Sequence, residues 1–194
     1  MRLVLSTRNP HKVRELNVLL APHEVLPLPD EVELPPETGE TFAENALGKA
    51  RAAAQATGMP ALADDSGIEA AALGGAPGVR SARYAGEQAS DEENLSKLLR
   101  EVAPTSDRRV AYVCALAYVN GDAEELFEGR CEGTLATEPR GSGGFGYDPA
   151  FIPNDRDDGR TMAELSVEEK DAISHRGRAA RAFLAWLDRE TQAA

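Results

Sequence analysis

Two long strand-like runs joined by a tight turn constrain this chain more than any other feature. Arg109 to Val119 alternates and then runs apolar, Leu126 to Thr137 reads as a second long strand, and Asn120-Gly121-Asp122 lies between them. Asn-Gly is the strongest short hairpin signal. Yet the chain opens on strand–helix units. An antiparallel pair inside such a chain demands a mixed sheet, not a parallel one.

Around that hairpin the other elements follow from caps and periodicity. Leu3-Val4-Leu5 is a strand core, and Asn9 followed by Pro10 is a helix start that carries Val13, Leu16, Leu19 and Leu20 inward. Val25 to Leu28 reads as a short edge strand. Thr41 and Glu44 have capping-box spacing at the head of an alanine-rich helix that runs to about Ala56. Ser90 caps a helix that buries Leu95, Leu98, Leu99 and Val102 and stops at Pro104. Ala150 to Pro153 is a short strand, Val167 to Lys170 a short helix, and Ser174 the cap of the last helix, with Ala180, Phe183, Leu184 and Leu187 as its buried stripe.

The chain has 194 residues, 42% of them apolar. That is enough for a substantial core in one domain spanning 1–194, with at most two lobes and no separable linker. A net charge of −12 argues against broad binding to nucleic acid, which needs a basic surface. It leaves room for a small anionic substrate if cations are gathered locally. No apolar run is long enough to span a bilayer and no basic-then-apolar leader is present, so the expectation is a cytoplasmic protein with no membrane partner. Cys114 and Cys131 lack metal spacing and are expected to be reduced and buried.

The chemistry gathers in four stretches. Pro60-Ala61-Leu62-Ala63 is an apolar run that ends in Asp64-Asp65-Ser66-Gly67. Carboxylates at a strand tip are costly unless they face water, a metal or a cation. Adjacent strand residues point to opposite faces, so Asp64 and Asp65 should not share one task, and Gly67 is expected to let the backbone turn. The competing reading is a capped strand end with two solvated acids. Thr7 to Lys12 joins a strand, a polar turn, a helix start and a first-turn lysine, which together make an anion cradle without the Gly-rich pattern of a P-loop. Gly141 to Pro149 sets Phe145 and Tyr147 among glycines, an arrangement suited to stacking on a flat base. Finally, His175 and Arg176 fall in the first turn of the last helix, where a cation opposes the dipole.

These stretches recur, in this order, in a known family. Thr7-x-Asn9-x-x-Lys12, Thr41-Phe42-x-Glu44-Asn45-Ala46, Ala63-Asp64-Asp65-Ser66-Gly67, Gly74-Gly75-x-Pro77-Gly78, Ser81-Ala82-Arg83-Tyr84, Gly143-Gly144-Phe145-Gly146-Tyr147-Asp148-Pro149 and Ser174-His175-Arg176-Gly177 resemble the inosine/xanthosine triphosphate pyrophosphatases over nearly the whole chain. The resemblance implies an α/β fold: an elongated mixed β-sheet flanked by helices, two lobes, a central active-site cleft and a homodimer. It implies Mg2+-dependent hydrolysis of ITP, dITP or XTP to the monophosphate plus pyrophosphate. By the same resemblance Asp65 is the general base and a metal-side carboxylate, and Glu44 is its magnesium partner. Thr7, Arg8, Asn9, Pro10, His11 and Lys12 form the triphosphate cradle, and Ser66 contacts substrate. Phe145, Gly146, Tyr147 and Asp148 are the base and sugar platform, with Lys170, His175 and Arg176 at the base-reading end.

Two other classes fit parts of the pattern. A nucleotide sensor would use the same cradle and loop without hydrolysis, but clustered carboxylates beside a polyanion serve no purpose in pure binding. A serine hydrolase using Ser66 and His175 lacks the G-x-S-x-G elbow, and the two acids before Ser66 would repel an oxyanion.

Overall fold

The computed structural model describes residues 1–193. Its strands are β1 (Arg2–Leu5), β2 (Glu24–Pro27), β3 (Ala61–Ala70), β4 (Arg109–Asn120), β5 (Ala123–Leu135) and β6 (Phe151–Pro153). Its α-helices are α1 (Pro10–Leu19), α2 (Phe42–Thr57), α3 (Asp91–Val102), α4 (Val167–Ile173) and α5 (His175–Ala193). The six strands make one sheet in the order β2-β1-β3-β4-β5-β6. β1 is parallel to β2 and to β3, with Val4 opposite Ala61 and Leu5 opposite Leu62. β6 is antiparallel to β5. β4 and β5 are neighbours joined through Gly121 at φ +60°, a link too short for a parallel crossover. The mixed sheet expected from the hairpin is therefore present, and β2 is one of its two edges.

The chain forms two compact units. The first holds Met1–Asp65, Cys114–Gly129 and Arg176–Ala194; the second holds Ser66–Val113 and Arg130–His175. β3, β4 and β5 each have residues in both units. Each unit has its own apolar core. In the first, Leu3, Leu5 and Leu62 from the strands meet Leu16 and Leu20 from α1 and Ala180 and Phe183 from α5. In the second, Leu95, Leu98 and Val102 of α3 pack with Ile68, Val110, Tyr112, Leu135 and Phe151. Both cysteines are free and buried.

One expectation fails. β3 does not end at the acid pair: it runs on to Ala70, so Asp64 and Asp65 lie inside a strand and Gly67 makes no turn. The reason for a glycine there is space. A Cβ on Gly67 would lie 2.6 Å from the Gly78 carbonyl oxygen and closer still to the Ser81 hydroxyl oxygen. That hydroxyl accepts the Ile68 amide at 2.9 Å and donates to the Gly78 carbonyl at 2.6 Å. The strand can continue only because nothing projects from residue 67.

Candidate active site

In the first unit the two acids have different surroundings, as strand alternation requires. Asp64 is fully buried. Its Oδ1 lies 2.9 Å from the Lys12 ammonium, and its Oδ2 accepts Nε and Nη2 of Arg176 at 3.1 and 3.0 Å. Burial by itself would raise the Asp64 pKa, but Lys12, Arg176 and Lys49 overcome it and hold the carboxyl far below the usual carboxylate range. Arg176 also donates Nη1 to Glu15 on α1. Lys12, Asp64, Arg176 and Glu15 thus form one ionic chain of alternating sign, with its two middle members, Asp64 and Arg176, buried.

Asp65 belongs to a second cluster in the same unit. Its Oδ2 accepts from the Asn45 amide at 2.9 Å, and its Oδ1 is 3.8 Å from the Lys49 ammonium. Burial pushes its pKa up, against the pull of Lys49. Lys49 in turn donates to Glu37 at 2.5 Å and to the Asp64 backbone carbonyl at 2.8 Å. Burial would lower the Lys49 pKa, but Asp65, Asp64 and Glu37 raise it, so the ammonium stays charged. Asn45 and Lys49 sit one turn apart on α2. A stripe of polar residues on an alanine-rich helix is the signal that marks them, and only the fold brings it to Asp65.

Glu44, next to Asn45, is in a complete capping box: its Oε2 accepts the Glu40 and Thr41 amides at 2.7 and 3.2 Å while the Thr41 hydroxyl oxygen accepts the Glu44 amide. The segment at the head of α1 is equally committed. Asn9 Oδ1 accepts the His11 and Lys12 amides at 2.9 and 3.4 Å, the Asn9 amide donates to Thr7 Oγ1, and Pro10 has no amide hydrogen. The cap has taken the amides that a bare helix start would offer an anion. What this segment presents is the Lys12 ammonium, on a side chain 14% exposed. Arg8 points its guanidinium at the Leu28, Pro29 and Val32 carbonyls and so fastens the loop after β2. The His11 ring is paired with Arg14.

The second unit carries the glycine-rich loop. Asp148 is buried and accepts on both oxygens: Tyr112 hydroxyl at 3.0 Å on Oδ1, and the Lys170 ammonium at 2.8 Å and Phe145 amide at 2.9 Å on Oδ2. Gly144, at φ +69°, is required here, because a Cβ would lie 2.8 Å from the Asp148 carboxyl carbon. The Lys170 ammonium is 5.1 Å from the centre of the half-buried Phe145 ring, within cation–π range. The Gly146 amide donates to Asp91 at the start of α3. Tyr147, expected beside Phe145 on the platform, is instead buried in this unit's core with its hydroxyl on the Ser81 carbonyl at 2.7 Å. His175 stacks on Tyr112 at 4.6 Å and 15°. Ser66, the first residue of this unit, is half-buried on β3.

The sequence-based expectations are thus met unevenly. The fold joins Lys12, Asp64 and Arg176 in one cluster, sets Asp65 with Asn45 and Lys49 in another, and gathers Phe145, Asp148, Lys170 and His175 in the second unit. It gives His11, Thr7, Asn9 and Glu44 local structural partners, sets Pro10 in the first turn of α1, and ties Arg8 to the loop after β2. Glu15, Glu37 and Tyr112 enter unannounced, since nothing local in the sequence separates them from surface acids or a core aromatic.

Known proteins are similar to this chain over nearly its whole length. The chain is 50% identical to a dITP/XTP pyrophosphatase of Geobacter sulfurreducens, with 92% of each chain covered. It is 51% identical to a dITP/XTP pyrophosphatase of Pectobacterium atrosepticum, covering 94% of this chain and 96% of the relative. The solved structure of a HAM1 protein from Coxiella burnetii superposes with a TM-score of 0.89 at 43% identity, covering 97% of this chain and 99% of the other. The Ham1 family model matches residues 3–186, and the chain belongs to the Ham1 family.

Proposed function

We propose that this protein hydrolyses deaminated purine nucleoside triphosphates, the class ITP, dITP and XTP, to the monophosphate and pyrophosphate. The observation that carries the reading is the split of the acid pair. Asp64 is locked between Lys12 and Arg176 as a fixed anion, while Asp65 keeps a raised pKa and a carboxylate oriented by Asn45. A carboxyl with that combination suits a general base. In the proposed step water attacks the α-phosphorus, Asp65 takes its proton, the new P–O bond forms as the α–β bridging bond breaks, and pyrophosphate leaves. Lys12 and Lys49 are the ammonium groups of this unit beside the acid pair, suited to neutralise phosphate charge in such a transfer.

Mg2+ fits the donors present. Among the described residues no set of three or more His, Cys, Asp and Glu side chains is arranged to hold a metal. Mg2+ asks for less, one or two carboxylates with water and substrate phosphates filling the other positions. Asp65 and Glu44 are the candidates, since the capping bonds of Glu44 use Oε2. The ion would supply charge neutralisation on the phosphate oxygens.

Base selectivity has a physical form in the second unit. Lys170 carries donors only. A 6-oxo purine can accept from it, whereas the 6-amino group of adenine cannot. A buried donor left unpaired costs about 1–3 kcal/mol, and sites built for one hydrogen-bond pattern discriminate by up to about 10⁴–10⁵. Phe145 offers a face for stacking. Ser66 and His175 complete this unit's polar set. The resemblance to the pyrophosphatase family supports the further proposal that the protein works as a homodimer on the free nucleotide pool of the cytoplasm. Asp65→Asn tests it: turnover of ITP should fall by about 10²–10⁴-fold with ITP still bound, and full activity in that variant would overturn the assignment.

A further inference from the structure

We infer that Tyr112, on β4, is a positioning residue for base recognition, holding two of the base-reading groups through two different parts of its side chain. The inference rests on the nucleotide reading above and concerns the second unit alone.

The ring of Tyr112 is the middle member of a stack. Phe151 covers one side at 4.3 Å and 22°, and His175 stacks with it at 4.6 Å and 15°. The plane of the imidazole is therefore set by the phenol ring, which Phe151 in turn fixes. The hydroxyl does separate work. It donates to Asp148 Oδ1 at 3.0 Å, while Oδ2 takes the Lys170 ammonium and the Phe145 amide. With donors on both oxygens, the carboxylate has a defined plane, and that plane fixes where the ammonium sits relative to the Phe145 ring. A phenylalanine at 112 would fill the stack equally well. Tyr112 is 6% exposed and Asp148 3% exposed, so the bond between them is buried, where a polar group without a partner is costly. Tyr112 thus controls His175 by stacking and Lys170 through Asp148, without being a candidate to touch the substrate itself.

A merely structural tyrosine would change stability and leave nucleotide preference alone. Tyr112→Phe keeps the stack and removes the bond to Asp148. Steady-state kinetics of the full chain with ITP and with ATP should show KM for ITP raised about 10-fold, the scale of one hydrogen bond to a charged group. kcat should stay within about twofold, and the ITP:ATP ratio of kcat/KM should fall by a factor similar to the KM change. In a double-mutant cycle, adding Asp148→Asn should cost less in the Tyr112→Phe background than in wild type, because both substitutions act on one bond. Wild-type KM and an unchanged ITP:ATP ratio in Tyr112→Phe would overturn the inference, as would full additivity in the cycle. Wild-type protein that hydrolysed no ITP would instead overturn the nucleotide reading itself, and this inference with it.

Discussion

Asp64 and Asp65 are neighbours with the same side chain and opposite fates. Both are buried, and burial raises the pKa of a carboxyl. Asp64 escapes because Lys12 and Arg176 are bonded to it; Asp65 does not, because Asn45 is neutral and Lys49 stands 3.8 Å off. The difference has a consequence for stability. A group whose pKa is depressed in the folded state stabilises it above its unfolded pKa, about 3.9 for aspartate, and that contribution is lost as pH falls through the folded value. Asp64 should therefore contribute fully near neutrality and progressively less below about pH 4. Asp64→Asn leaves two cations without their shared anion, and breaking a buried pair costs about 3–5 kcal/mol. Urea unfolding at pH 7 should show a loss of that size, and the variant should lose less further stability on acidification than wild type. Equal stability of the two at pH 7 would show that the ionic chain contributes nothing.

At the scale of elements, β3 and the head of α1 decide what the site can be. β3 continues through Gly67, where Ser81 and the Gly78 carbonyl occupy the space a side chain would need. Gly67→Ala should destabilise by about 1–3 kcal/mol, the range for overpacking, measured as a shift in the urea midpoint. No loss would mean that the neighbours yield freely. At α1 the capping bonds have taken the first-turn amides, so phosphate attraction leans on Lys12. Lys12→Ala should raise KM for ITP and ATP alike by about 10–100-fold, the worth of a charge-assisted bond, leaving the ratio between them unchanged. A changed ratio would mean that Lys12 also reads the base.

These elements also mark where the sequence was legible. Caps and periodicity located α1, α2, α3 and the hairpin because their signals are local: Asn9-Pro10, Thr41 to Glu44, Ser90, and Asn120-Gly121. The continuation of β3 was hidden, since a glycine that turns and a glycine that makes room look alike in sequence; the difference is Ser81, fourteen residues on. The acid pair, Lys12 and the Phe145 loop stood out by type and spacing. The anionic partners of Arg176 did not, because Glu15 sits on α1 and nothing local ties it to a helix start 161 residues away. The burial of Tyr147 was hidden for a related reason: an aromatic in a glycine-rich loop suits an exposed platform, but its hydroxyl finds the Ser81 carbonyl.

At the scale of the molecule, a net charge of −12 and a polyanionic substrate are compatible because the cations that matter are few and held in place. Lys12, Lys49 and Arg176 in the first unit and Lys170 in the second are each tied to a carboxylate before any ligand arrives. Each unit has its own core and its own chemistry: ionised acids and cations in one, an aromatic loop with a donor-only ammonium in the other. The central claim is chemical, and product identification tests it most directly. Purified protein with Mg2+ would be given ITP, dITP, XTP, GTP and ATP separately, with all phosphorus-containing products resolved by 31P NMR. Pyrophosphate and the nucleoside monophosphate from ITP, dITP and XTP, with little from ATP, is the predicted result. Inorganic phosphate with a nucleoside diphosphate, or equal turnover of ATP and ITP, would contradict it.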